Sequence, residues 1–121
     1  MSPASAGLNP KERRYGFIGT EDWFMYPLLA PGSFVEIDET KRDIGTQEWN
    51  SEFERPVYFL ELRHGYACCW CDVLHNQIAL VPHPSSGCAV RIVASRDVDI
   101  IGTVVAVAMR LDLGRRRRVR S

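Results

Sequence analysis

Short runs of β-branched and aromatic residues, several of them alternating with polar positions, recur through the middle of the chain. In the segment Ser-Phe-Val-Glu-Ile-Asp (33–38), the alternation places Phe34 and Glu36 on one face of a strand and Val35 and Ile37 on the other. His64-Gly65 and the segment 75–77 (His-Asn-Gln) are typical of turns between paired strands. The pattern predicts six to eight short strands, over the runs 15–18, 33–38, 56–62, 66–73, 78–81, 89–94 and 100–111.

Helix signals are weak. The nearest approach to a 3.6-residue period is the segment 20–29, which Pro27 interrupts, so we expect at most a short helical turn there. Gly102, inside the last apolar run, predicts a β-bulge or a close approach of two backbones. The fold class is therefore predicted to be mainly β with little helix.

Composition limits the size and the partners of this protein. A chain of 121 residues, 45% hydrophobic and 25% charged, is typical of a single globular domain that buries its own core. Fifteen basic and fifteen acidic residues balance, which excludes a globally basic nucleic-acid binder. Five arginines lie in the last seven residues, however, so residues 1–114 carry a net charge of −5. We expect a flexible arm (1–14), a β domain (15–112) and a disordered basic tail (113–121).

Cellular location follows from segments that are missing from the sequence. The longest apolar stretch, Ile100 to Met109, has about half of the roughly 20 residues that a membrane span needs. The first residues contain no apolar region of the kind found in secretory signals. Four cysteines without such a signal indicate free thiols in a reducing compartment. The expectation is a cytoplasmic protein without a membrane partner.

Three stretches carry a resemblance to a known family. Residues 25–38 contain Met-x-Pro followed by Gly-Ser-x-Val-x-Ile-Asp, residues 57–81 form a predicted hairpin pair followed by Pro-His-Pro, and residues 100–111 begin Ile-Ile-Gly-x-Val-Val. In this order they resemble the C-terminal domain of LexA-type self-cleaving repressors, whose fold is shared with signal peptidases. The segment Cys69-Trp70-Cys71 is similar to a strand in bacterial helix-turn-helix regulators that carry such a domain. The resemblance implies a LexA C-terminal or signal-peptidase-like complex of β-strands.

The catalytic pair of that family is missing. Phe24 occupies the position of the serine nucleophile, and a phenyl ring cannot attack a carbonyl group. The only lysines, Lys11 and Lys41, both precede the strand that supplies the general base in the family. The resemblance therefore implies a catalytically inactive pseudo-peptidase rather than an enzyme.

In the resembled regulators this domain forms dimers through its C-terminal strand. The resemblance thus implies a homodimer with Val105, Val107 and Met109 as interface candidates. The 14 residues before the first predicted strand are too few for a helix-turn-helix head. We expect a regulatory dimerisation domain of a bacterial transcription regulator, either standing alone or part of a longer chain, with the DNA-binding head absent from this chain.

The cysteines allow several interpretations. On a strand, Cys69 and Cys71 share one face, and with His75 and His83 they contain the ligand types that zinc prefers. The paired Cys-x-x-Cys spacing of structural zinc sites is missing, and small thiols also pack well inside a strand core. Redox chemistry, or a hydrolase with a thiol beside a histidine, remains open. We expect no cofactor, with zinc as the alternative.

Two other features have both a functional and a structural interpretation. The aromatic and thioether cluster of Trp23, Phe24, Met25 and Tyr26, with Trp70 opposite, forms a ligand pocket in the former active-site cleft, or Phe24 simply fills that cleft. The pocket interpretation makes the chain a ligand- or metal-binding sensor module. The tail arginines are either a solubilising end or a nonspecific nucleic-acid contact, formed by Arg115, Arg116, Arg117 and Arg118.

Overall fold

The part of the chain that the structure describes folds into an antiparallel β-structure with seven strands. A computed structural model describes residues 13–45 and 48–108. Two single 3₁₀ turns, Pro84–Ser86 and Ser95–Asp97, are the helical segments within this part of the chain. The predicted mainly-β class is confirmed. The strands are β1 (Arg13–Phe17), β2 (Phe34–Asp38), β3 (Tyr58–Leu62), β4 (Gly65–Leu74), β5 (Gln77–Val81), β6 (Arg91–Ala94) and β7 (Asp99–Ala108).

The strands form one curled sheet in the order β1-β2-β7-β3-β4-β5-β6. The last strand in sequence thus lies between β2 and β3. Strands β3, β4 and β5 follow each other as hairpins, and the turn between β4 and β5 contains Asn76 with a positive φ of 59°. Asparagine tolerates this left-handed conformation, which tight hairpin turns require.

The core lies on the concave side of this sheet. Val35 and Ile37 of β2 are buried while Phe34 is exposed, so the predicted alternation of this strand is confirmed. Four consecutive residues of β4, Cys68 to Cys71, are buried on both of its faces because the sheet curls around this strand. The largest fully buried side chains are Trp70, Tyr58, Ile37, Leu60, Leu80 and Val35.

At Gly102, the backbone of β7 lies close against β2. A Cβ atom at this position would lie 2.4 Å from the carbonyl oxygen of Asp38 and 2.8 Å from the Ile37 side chain. The register of β3 against β7 also shifts between Phe59 and Leu60, beside this glycine. The predicted bulge or close backbone approach is confirmed, and both features are present.

Several element boundaries differ from the predicted ones. β1 begins at Arg13, two residues early, because Arg13 and Arg14 pair with Asp38 and Ile37. β6 begins at Arg91, the first residue that pairs with β5, rather than at the predicted residue 89. The rest of the arm, the end of the last predicted run (109–111) and the tail (113–121) lie outside the described residues.

The segment 20–29 forms turns rather than a helix, with a hydrogen bond from the Leu29 N–H to the Met25 carbonyl and a cis peptide bond before Pro27. This agrees with the prediction of at most a short helical turn. In the described ranges, no helix is long and apolar enough to cross a membrane.

Replacing Gly102 tests the close contact between β7 and β2. The Gly102→Ala substitution forces backbone atoms apart, so we expect the free energy of unfolding to fall by about 3 kcal/mol in urea titrations. Gly19→Ala is the matched control, because a Cβ at residue 19 comes no nearer than 3.8 Å to another atom. Equal stabilities of the two variants would show that β7 does not depend on this contact.

Candidate functional site

An open cleft of about 530 Å³ lies beside Phe24. We call it the Phe24 cleft. One wall is the segment between β1 and β2, and the other is the beginning of β4 together with Arg91 of β6. The cleft is lined by Gly19, Thr20, Glu21, Asp22, Phe24, Tyr66, Ala67, Cys68, Leu80 and Arg91.

The cleft continues as a groove of about 440 Å³ between β1 and the beginning of β4. Asp22, Tyr66 and Cys68 line both parts. The rings of Phe59 and Tyr66 contact each other on the floor of this groove, with 5.7 Å between their centroids. Gly16 leaves room for them, because a Cβ there would lie 2.9 Å from the Phe59 ring.

Backbone hydrogen bonds hold Phe24 at the cleft. Its N–H donates to the Asp22 carboxylate at 3.1 Å, and its carbonyl accepts a hydrogen bond from the His83 N–H at 3.0 Å. The ring is partly buried and packs against the core while it also lines the cleft. Phe24 therefore narrows the cleft without filling it.

The chemistry of the described lining residues is limited. Thr20, Tyr66 and Cys68 supply hydroxyl and thiol groups, but no lysine is among these residues. Lys41 instead lines a separate groove, beside β7. The cleft thus lacks both partners of a serine–lysine pair.

Two thiols of β4, those of Cys68 and Cys69, are held in the protonated form. Burial raises the pKa of the Cys68 thiol strongly, and the nearby Asp22 carboxylate raises it further. A hydrogen bond with the Cys71 side chain and burial together raise the pKa of Cys69 well above its ordinary value. Because the thiolate is the nucleophilic form, this environment suppresses nucleophilic chemistry at Cys68 and Cys69.

The aromatic cluster expected around Phe24 is divided between different environments. Met25 is buried in the core, whereas Trp23 and Tyr26 lie at the surface and contact each other edge to face at 5.0 Å. Of these neighbours in sequence, Phe24 alone lines the cleft.

Trp70 does not line the cleft. It stacks on other side chains instead, in an arrangement that the sequence did not indicate. Its ring stacks on His83 with 5.6 Å between centroids. The Arg55 guanidinium carbon lies 4.9 Å from the Trp70 ring centroid and 4.8 Å from that of Trp49. The same guanidinium donates to both carboxylate oxygens of Asp72, at 3.2 and 3.3 Å. These contacts fasten the loop between β2 and β3 onto β4.

His83 is fully engaged in hydrogen bonds. Its Nδ1 accepts from the Ser85 N–H at 3.0 Å, so the ring proton is on Nε2, which lies 3.0 Å from the Glu52 carboxylate. His75 is exposed in the turn between β4 and β5. The structure does not bring these two histidines together with Cys69 and Cys71, and within the described ranges no three Cys, His, Asp or Glu side chains are grouped to hold a metal.

A second groove follows the open edge of β7, and we call it the β7 groove. The Val104 N–H donates to the Val57 carbonyl at 2.8 Å, which is the last bond between β7 and the β3 side. Beyond it, residues 105–108 pair only with β2 among the described strands. Val105 and Val107 are 43% and 44% exposed there. The remaining interface candidate, Met109, lies outside the described residues. Leu28, Leu29 and the segment 52–57 form the other walls.

Protein-family models and curated proteins supply no relative for this chain. No protein-family model matches it. No curated protein matches it either. The assignment of function therefore depends on the chemistry of the two grooves.

The thiol environments predict an order of reaction with a thiol reagent. Cys88 is exposed, whereas Cys68, Cys69 and Cys71 are buried. At pH 8 we expect one thiol per chain to react quickly with Ellman's reagent and the other three only after unfolding. The Cys88→Ser variant is the control and should lose the fast phase. A fast phase that persists in this variant would contradict the burial of the three β4 thiols.

Proposed function

We propose that this chain is a catalytically inactive regulatory domain that acts by forming a homodimer, as in bacterial transcription regulators of the LexA type. The open edge of β7 is the observation that supports it most strongly. A second copy whose β7 lies along this edge forms hydrogen bonds with the backbone N–H and C=O groups there. It also covers the exposed side chains of Val105 and Val107.

The composition of the three free edges supports this proposal. Natural sheets protect free edges by short strands or by charged residues. β6 has four residues and begins with Arg91, and β1 begins with Arg13 and Arg14. The open part of β7, Val-Ala-Val-Ala, is also four residues long, but none of these residues is charged. An uncharged edge of this kind is suited to pairing with another strand.

The positions of the three family-like stretches are consistent with the proposal. The first contains β2, the second β3 to β5, and the third β7. β7 pairs with β2 and with β3, so the stretches that are far apart in sequence meet in the sheet. We infer that β7 takes the place of the dimer-forming C-terminal strand of the resembled regulators.

The absence of catalysis is part of the proposal. In the resemblance, Phe24 takes the position of the nucleophile. Phe24 lines the cleft, Lys41 lines the β7 groove instead, and burial raises the pKa of the Cys68 thiol. The four cysteines are free thiols. Free thiols fit a reducing compartment, and we place the protein in the cytoplasm.

A second candidate function is that of a sensor which binds a small ligand in the Phe24 cleft. The open cleft favours it, with the Phe59 and Tyr66 rings on the floor of its continuation and Asp22 and Arg91 on its walls. Native mass spectrometry of protein purified without chelator separates the candidates. A dimer without added mass supports the first, and a monomer that carries a small molecule or zinc supports the second.

Charges at the open edge test the dimer. We expect Val105→Asp or Val107→Asp to weaken self-association by about a hundredfold, because the two-fold contact would bring like charges together in an apolar interface. Light scattering coupled to size-exclusion chromatography measures the change.

The matched control is Val73→Asp, at an exposed position of β4. It should leave the dimer intact. If the edge variants remain folded and dimeric, the interface lies elsewhere and the proposal is wrong.

A further inference from the structure

The Phe24 cleft and its continuation between β1 and β4 differ in chemical character. We call the continuation the β1 groove. Aromatic rings dominate the lining of the β1 groove, namely those of Tyr15, Phe17, Phe59 and Tyr66. The cleft itself has more polar side chains, namely those of Thr20, Glu21, Asp22 and Arg91. A ligand that occupies both parts therefore needs an apolar end and a polar end.

The β1 groove offers a ring of the protein for stacking. Phe59 is held in the core and is 8% exposed, whereas Tyr66 on the same floor is 63% exposed. Aromatic rings attract another ring in offset or edge-to-face arrangements. The cleft and the groove, of about 530 and 440 Å³, are within the range of about 300–1,000 Å³ that is typical of small-molecule sites. Tyr66 is thus a stacking partner for the aromatic part of a small ligand.

Asp22 lies where the cleft and the groove meet, since it lines both. Its side chain is half-buried, and its Oδ1 accepts the hydrogen bond from the Phe24 N–H at 3.1 Å. This bond orients the carboxylate. Among the described residues, the other oxygen, Oδ2, has no hydrogen-bond or ion-pair partner. The junction therefore presents an oriented carboxylate with an acceptor oxygen still available.

The basic residues of the described lining leave this carboxylate unpaired. Arg14, in the β1 groove, forms an ion pair with Glu39 at 2.8 Å. Arg91 lines the cleft but not the β1 groove, and its strand, β6, is separated from β4 by β5. Glu21 adds a second carboxylate to the wall that carries Asp22. The charges at the junction thus favour a cation.

From this arrangement we propose that the Phe24 cleft and the β1 groove bind an organic ammonium ion that carries an aromatic group. The ammonium group donates to the Asp22 carboxylate at the junction, and the aromatic group stacks on Tyr66 in the groove. The faces of aromatic rings also attract the cation itself. The inference rests on the second candidate function, since it names the class of ligand that the sensor binds. It does not depend on the dimer.

Amide NMR spectra of the full chain, titrated with tryptamine, test the proposal. Tryptamine carries an ammonium group on an indole ring. Tryptophol and indole-3-propionate keep the ring and the linker but end in a hydroxyl and a carboxylate. We expect tryptamine at millimolar concentration to shift the amide signals of residues 19–24 and 66–68. The other two compounds should bind at least about tenfold more weakly, because they lack the cation.

The Asp22→Asn substitution tests the charge. The amide oxygen of asparagine still accepts the hydrogen bond from the Phe24 N–H, so the fold of the segment is kept while the charge is removed. We expect tryptamine to bind about tenfold more weakly. Asp99→Asn is the matched control, because Asp99 is exposed on β7 and lines neither part of the site. It should bind as the unchanged protein does.

The Tyr66→Ala substitution tests the stacking surface. Because Tyr66 is exposed, its loss leaves the core intact, and we expect tryptamine to bind about fivefold more weakly. Tyr26→Ala is the control, since Tyr26 is 42% exposed and lines neither the cleft nor the groove. Its affinity for tryptamine should not change.

The proposal is wrong if tryptophol or indole-3-propionate binds as tightly as tryptamine, or if Asp22→Asn leaves the affinity for tryptamine unchanged. In both cases the cleft remains a ligand site, and only the ammonium class fails. If tryptamine shifts no amide signal of the cleft or the groove, the proposal is wrong as well. Native mass spectrometry then decides separately whether the second candidate function also fails, because it detects a bound molecule of any class.

Discussion

The backbone of β7 passes β2 so closely at Gly102 that a carbonyl oxygen occupies the place of a side chain. The rest of the architecture depends on this contact. Through it, the last strand joins β2 to β3, and hydrogen bonds from Thr103 Oγ1 to the Lys41 carbonyl and from the Tyr58 hydroxyl to the Asp43 carbonyl fix the loop between them. Past this point β7 continues beyond β3, which leaves the uncharged edge where we propose that the dimer forms.

Much of the fold was predictable because its signals are local. The alternation of Val35 and Ile37 with polar or exposed neighbours identifies β2, and the hairpin turns near Gly65 and Asn76 mark the ends of β4. Gly102 indicated a bulge or a close approach because a glycine inside an apolar strand has few other uses. The order of the strands was not predictable in this way, since it depends on pairing between distant segments.

The candidate site was predicted less well. Phe24 lines a cleft, whereas Trp70, which was predicted to lie opposite it, instead contacts His83 and Arg55. No local pattern places the loop that carries Arg55 over β4, because the Arg55–Asp72 ion pair, the hydrogen bond between Glu52 and His83 and the contact of Arg55 with the Trp70 ring hold it there. Likewise, the exposure of Tyr15, Phe17 and Phe34 is visible only when β1 and β2 are paired.

The most direct test of the central claim, that a second copy pairs with the open edge of β7, is amide hydrogen exchange at several protein concentrations. The amides between Val105 and Ala108 that face the open edge should exchange slowly in concentrated protein and quickly after dilution, while the amide of buried Leu60 stays protected at every concentration. Exchange at residues 105–108 that is equally fast at all concentrations would contradict the claim.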